Sequence, residues 1–187
     1  MKLYALLDIN SLKNREKNIE WFVKKALSLN ASLIQYRNKD ELSHDIKKQD
    51  ITLIKSLCDI PLIVNDDITL VEYCDGLHLG QEDILKFDEN IQKASVRVRS
   101  ILKDKIFGLS THNEKEILRA NDLPVDYIGL GAYRATSTKD VSNILGEKTS
   151  HLASLSTKDV ALIGGVKLDD KVKNVTYLVI GSGLYEN

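Results

Sequence analysis

Apolar residues along the chain gather into short runs, and each run stops in polar or glycine residues. The first, Leu3 to Leu7, ends at Asp8 and Asn10, and the second, Ser32 to Tyr36, runs into Arg37, Asn38, Lys39 and Asp40. Leu62-Ile63-Val64 ends in Asn65-Asp66-Asp67, and Gly76 to Leu79 ends in the polar stretch Gly80 to Asp83. Ile106 to Leu109 closes on Ser110-Thr111-His112, and Asp126 to Gly131 opens toward Ala135-Thr136-Ser137-Thr138-Lys139. Val160 to Ile163 ends in Gly164-Gly165, and Tyr177 to Ile180 ends in Gly181-Ser182-Gly183. Such runs read as strands, and buried strands that finish in charged loops are how a scaffold presents chemistry.

Between the runs the apolar spacing becomes helical. Asn18 to Leu29 carries an inward stripe of Ile19, Phe22, Val23, Ala26 and Leu27. Ser43 to Cys58 has Ile46, Ile51, Leu53, Ile54 and Leu57 as its apolar positions and is stopped by Pro61. Ile68 to Tyr73, Ile91 to Leu102 and Glu114 to Ala120 follow, the last with Asn113 as N-cap and Glu116 at the capping-box position. A weaker segment spans Asn143 to Leu155, and a very short one spans Leu168 to Lys173. Eight strands alternating with helices predict an α/β fold, a (β/α)8 TIM barrel. A doubly wound open sheet is the competing architecture, but it would place a glycine-rich turn after the first strand, where this chain has Asp8.

Length changes that picture. Typical barrels run to roughly 250 residues, and this chain has 187. A single domain over residues 1–187 is therefore expected to be trimmed at the seventh crossover and to lack a full eighth helix. The flank so exposed would suit a second copy in a homo-oligomer. Lys and Arg number 26 against 27 Asp and Glu, so no basic field points to nucleic acid. Cys58 and Cys74 show no CxxC spacing, no apolar signal follows Met1, and no run approaches the roughly 20 residues of a membrane span. A reduced, soluble, cytoplasmic protein without membrane partners is expected.

In a barrel the strand C-termini share one face, so residues far apart in sequence converge there. Gln35, Arg37 and Lys39 alternate and point the same way, which reads as an anion clamp; solvated surface charges are the competing reading. Asp66 and Asp83 end successive strands and suit a Mg²⁺ completed by water and substrate phosphates, unless each merely caps the helix that follows. Thr136, Thr138 and Lys139 offer hydroxyls and a cation. Gly164-Gly165 and Gly181-Ser182-Gly183 follow the seventh and eighth strands, where barrels often bind phosphate. His78 and His112 lie on or beside strands, with a hydrogen-bonded core histidine the competing reading for either; neither has zinc-ligand spacing. Asp75 precedes its strand and belongs on the opposite face, and His44 and His151 belong on helix surfaces.

These residues together resemble the thiamine phosphate synthase and thiazole tautomerase family. Gln35-Tyr36-Arg37-Asn38-Lys39, Asn65-Asp66, Gly76 to Asp83, Gly108 to His112, Tyr127 to Gly131, Thr136 to Lys139, Ile163-Gly164-Gly165 and Ser182 carry the resemblance. It implies a transferase that joins hydroxymethylpyrimidine diphosphate to thiazole phosphate, releasing pyrophosphate. Arg37, Lys39, Asn65 and Lys139 would hold the diphosphate, and Asp66 and Asp83 its Mg²⁺. Gln35 and Ser110 would contact the pyrimidine; Thr136, Thr138 and His78 would lie near the thiazole; Gly164, Gly165 and Ser182 would take its phosphate. The tautomerase branch is expected to carry a histidine where this chain has Ala132, and to lack the two carboxylates. A tautomerase-like paralogue or a non-catalytic binder of thiamine intermediates is the alternative. One departure from the family is Ala132-Tyr133-Arg134-Ala135 in place of a Pro-aromatic-Pro pattern, which is expected to add the Arg134 cation at the substrate mouth.

Overall fold

In the computed structural model, which describes residues 1–40, 43–135 and 144–186, all eight apolar runs are strands. They are β1 (Lys2–Asp8), β2 (Leu33–Arg37), β3 (Leu62–Asn65), β4 (Gly76–Leu79), β5 (Ile106–Thr111), β6 (Tyr127–Leu130), β7 (Asp159–Leu162) and β8 (Tyr177–Ile180). Each pairs in parallel with the next, and β1 pairs with β8 from Lys2↔Tyr177 to Ala5↔Ile180. The sheet thus closes in sequence order, as a (β/α)8 barrel requires and an open doubly wound sheet does not.

Alternation divides the side chains into two sets. Leu3, Ala5 and Leu7, Ile34 and Tyr36, Leu62 and Val64, Leu77 and Leu79 face the helices and join the main core. Tyr4, Leu33, Ile63, Tyr127, Ala161 and Val179 form a separate buried cluster that fills the barrel. Two glycines make that filling possible: a Cβ at Gly108 would stand 2.1 Å from Tyr127 Cζ, and one at Gly129 would stand 2.9 Å from His78 Cε1.

The outer layer contains α1 (Ile9–Lys13), α2 (Ile19–Ser28), α3 (His44–Leu57), α4 (Gln81–Ile84), α5 (Ile91–Leu102), α6 (Glu114–Asn121) and α7 (Thr149–Ser154). Residues Ile68–Tyr73, Gly146–Lys148 and Ser182–Tyr185 form 3-10 turns. Asn113 caps α6 by accepting from Glu116 N at 3.0 Å, and Glu116 in turn accepts from Asn113 Nδ2 and His112 N. The predicted stripes are wider than the buried ones: Leu27, Ile46 and Leu57 are exposed, while Ile51 and Ile54 are fully buried. The short α1 and α4 bury too few residues to leave a helical period in the sequence. Among the described residues no helix is long and apolar enough to cross a membrane.

Residues 163–176, between β7 and β8, contain no helix, so the segment predicted at Leu168 to Lys173 is a correction. Asp170 instead folds back to accept from Lys167 N at 2.8 Å, a local bond that competes with helical hydrogen bonding. Arg134 grips the same carboxylate with two bonds of 2.7 Å and donates to Gly165 O at 2.9 Å. Val166 and Val172 seal the crossover against the core. Beyond β8, Leu184 is buried and Tyr185 stacks on Trp21 of α2, with ring centroids 5.3 Å apart. At the strands' N-terminal ends, Asp75 accepts from Leu62 N and Lys55, and Asp126 accepts from Phe107 N and Arg99. Asp75 is therefore a brace at the stability face, as its position before β4 predicted.

Candidate active site

The C-terminal ends of β2, β3 and β4 bring the predicted clamp and carboxylates to one region. Arg37, at the end of β2, pairs with Asp8, whose other oxygen caps α1 by accepting from Ser11 N. One cation of the clamp is therefore already balanced, while Lys39 stands exposed, with its charge felt at Asp83. Asn65 donates to Asp66 Oδ2 at 2.5 Å. Asp66 has φ +63°, a left-handed conformation that Asp tolerates better than most residues. In that conformation its Oδ1 accepts from Gly80 N at 3.3 Å.

Capping does not explain either carboxylate. Asp67, not Asp66, caps the turn at Ile68–Tyr73 by accepting from Thr69 N and Oγ1. Asp83 lies within α4, whose N-cap is Gly80, and the next long helix is capped by Asn90. The Asp66 and Asp83 carboxyls lie close enough for each to shift the other's titration. Burial and the neighbouring Asp83 charge raise the pKa of Asp66. Burial alone would raise Asp83 too, but the Lys86 bond and charge, the Asp66 hydrogen bond and Lys39 together hold it low. Two carboxyls in such contact share a proton or a cation. Among the described residues no group of three or more His, Cys, Asp or Glu is gathered to hold a metal. Two neighbouring carboxylates are a donor set that suits an ion keeping its other positions for water and phosphate oxygen, as Mg²⁺ does.

A second constellation crosses the barrel interior. Gln35 Nε2 donates to Tyr4 Oη at 2.9 Å, and Tyr4 Oη meets Tyr127 Oη at 2.9 Å. Tyr127 Oη lies 3.0 Å from His78 Nδ1, and His78 Nε2 lies 2.9 Å from Ser110 Oγ. Tyr127 also stacks on the imidazole, with centroids 5.5 Å apart. Burial, reinforced by His112, lowers the His78 pKa to about 4, so the ring is neutral. Burial likewise raises both tyrosines, which keep their protons. His78 is thus a hydrogen-bonded interior residue with both ring nitrogens engaged, rather than a free group at the mouth.

The remaining predicted residues are distributed as follows. Gly164 and Gly165 follow β7 with φ +91° and +62°, and Ser182 opens the 3-10 turn after the adjacent β8. Thr136, Thr138 and Lys139 lie outside the described residues. His112 pairs with Glu116 at 3.0 Å, and His44 and His151 are exposed on helices. Arg134, expected as a cation at the mouth, is engaged by Asp170 in the crossover. Neither Tyr4 nor Tyr127 received a role from the sequence; their inward positions in the alternation, with Gly108 across from Tyr127, are the signal that would have found them.

A family model described as Thiamine monophosphate synthase matches residues 3–179. The thiamine-phosphate synthase of Persephonella marina is 37% identical over 185 residues, covering 96% of this chain and 81% of that protein. That of Staphylococcus haemolyticus is 37% identical over 166 residues, covering 82% and 73%. Among solved structures, a thiamine phosphate pyrophosphorylase from Pyrococcus furiosus aligns with TM-score 0.73 at 25% identity, over 97% of this chain and 85% of that one. A tryptophan synthase complex from the same organism aligns with TM-score 0.69 at 11% identity, over 97% and 87%, a likeness of fold alone. Agreement with the family over nearly all of the barrel, and with its synthases at more than a third of positions, means that the chain belongs to the thiamine monophosphate synthase family.

Proposed function

We propose that the chain is a Mg²⁺-dependent transferase of thiamine biosynthesis that joins a hydroxymethylpyrimidine diphosphate to a thiazole phosphate, giving thiamine phosphate and pyrophosphate. The observation that carries this reading is the Asp66–Asp83 carboxyl pair, one residue following β3 and the other in α4 after β4, with the Lys39 charge felt at Asp83. Bound by those two carboxylates, Mg²⁺ would supply positive charge for the departing pyrophosphate. Lys39, Arg37, Asn65 and Lys139 hold the diphosphate, and Gln35 and Ser110 hold the pyrimidine. In this reading Thr136 and Thr138 are assigned to the thiazole, and Gly164, Gly165 and Ser182 to its phosphate through backbone and hydroxyl groups. The carbon–oxygen bond to the diphosphate breaks with both electrons leaving on pyrophosphate. The electron-rich aminopyrimidine stabilises the positive carbon, and the thiazole nitrogen forms the new bond to it. Charge stabilisation by fixed groups is the main contribution expected of the protein.

The test is formation of pyrophosphate and thiamine phosphate from the two substrates, with Mg²⁺ and with EDTA. Equal amounts of both products, only with the metal, are expected. Asp83→Ala is expected to abolish turnover while circular dichroism remains that of the folded barrel. Undiminished activity of this variant, or turnover in EDTA, would remove the carboxyl pair from the mechanism.

A further inference from the structure

We propose that Tyr4, Tyr127 and His78 are positioning residues that tie Gln35 to Ser110 in one hydrogen-bond chain, and that this chain acts as a unit in orienting the pyrimidine. The inference rests on the proposed function, which gives both ends of the chain to that ring.

The argument begins with what the barrel interior would otherwise contain. Such interiors are filled in layers, mostly by branched aliphatic side chains, which need no partners. Here Tyr4 is 0% exposed, Tyr127 3%, Gln35 4% and His78 8%, so four polar side chains lie where apolar ones would pack. Burying them is costly unless each finds a partner, and the four contacts of 2.9 to 3.0 Å satisfy them in series. Gly108 and Gly129, by lacking side chains, provide the space for the rings of Tyr127 and His78 respectively. Packing alone does not call for this arrangement.

Donor and acceptor chemistry then gives the chain a direction. The Gln35 amide nitrogen can only donate, so the Tyr4 proton turns to Tyr127 and the Tyr127 proton to His78 Nδ1. The imidazole N–H is left at Nε2 for Ser110 Oγ. At one end, Gln35 Oε1 accepts no hydrogen bond among the described residues; at the other, the Ser110 proton is free to donate. The two ends offer an acceptor and a donor. An aminopyrimidine presents their complements, through its exocyclic amine and its ring nitrogens. A break at either tyrosine would uncouple the two ends, because Gln35 and Ser110 would no longer be joined by one continuous chain.

The experiment compares wild type, Tyr4→Phe, Tyr127→Phe and the double variant, since phenylalanine keeps the ring packing and removes only the link. Each single change is expected to raise KM for the pyrimidine diphosphate about tenfold, the scale of one buried hydrogen bond. The double variant is expected to rise no further, because the chain is already broken. KM for thiazole phosphate should stay constant throughout. Additive effects, no effect, or equal rises in both KM values would overturn the chain as a unit. If wild type forms no product, the proposed transfer fails separately, and calorimetric binding of the pyrimidine diphosphate to the same four proteins applies the same criterion. Wild type that neither turns over nor binds would overturn both.

Discussion

His78 owes its neutrality to the rings and strands around it. Its folded pKa of about 4 lies below the roughly 6.5 of an exposed histidine, so the unfolded chain takes up a proton that the folded barrel refuses. The associated stability is complete above about pH 7, is lost as pH falls from 6.5 toward 4, and then levels off, a change on the order of 3 kcal/mol. Urea unfolding at several pH values should show this slope in wild type and a shallower one in His78→Gln; equal slopes would mean that other groups carry it. Arg37, Lys39 and Asp66 could be picked out in the sequence as candidates because each follows the end of an apolar run. Tyr4 and Tyr127 could not, because a tyrosine inside such a run counts as one more strand-forming residue. Their hydroxyls meet across 123 positions of chain, which no local pattern records.

The β7–β8 crossover shows what happens at the level of an element when a helix is omitted. Arg134 sits after β6, yet its guanidinium holds both Asp170 and Gly165 of the β7–β8 crossover, so two connections share one fastening. The Asp170 side chain is 11% exposed and that of Arg134 is 41%, so solvent screens the pair in part. Arg134→Ala is expected to cost about 1 kcal/mol, a fall in Tm of about 2–4 °C for a chain of this size. Asp170→Ala should match it, the double variant should be no worse, and Arg134→Lys should recover little because lysine lacks the planar fork. Thermal melts of the four variants check this; a silent Arg134→Ala would show that the buried valines hold the crossover alone. Strands were readable because each is a short contiguous signal. The predicted helix at Leu168 to Lys173 failed because a few apolar positions cannot outweigh a side chain that bonds its own backbone.

For the whole molecule, an eightfold alternation of runs was enough to predict the barrel, but its closure depends on register between β1 and β8, at opposite ends of the chain. The seams are unequal: β1 and β2 pair through five residues, β7 and β8 through two. Native-state hydrogen exchange is expected to be faster at the β7–β8 seam than at β1–β2; uniform protection would show that the barrel opens only as one unit. The interior has a consequence of another kind. The ring of Tyr127 occupies the space a side chain at 108 would need, and the ring of His78 does the same at 129. Each glycine and its ring are therefore a matched pair, and a change to either member alone meets a clash or leaves a void. Sequence drift through this interior must then proceed by paired replacements, and a lineage that makes only single steps is confined to the rings it already has.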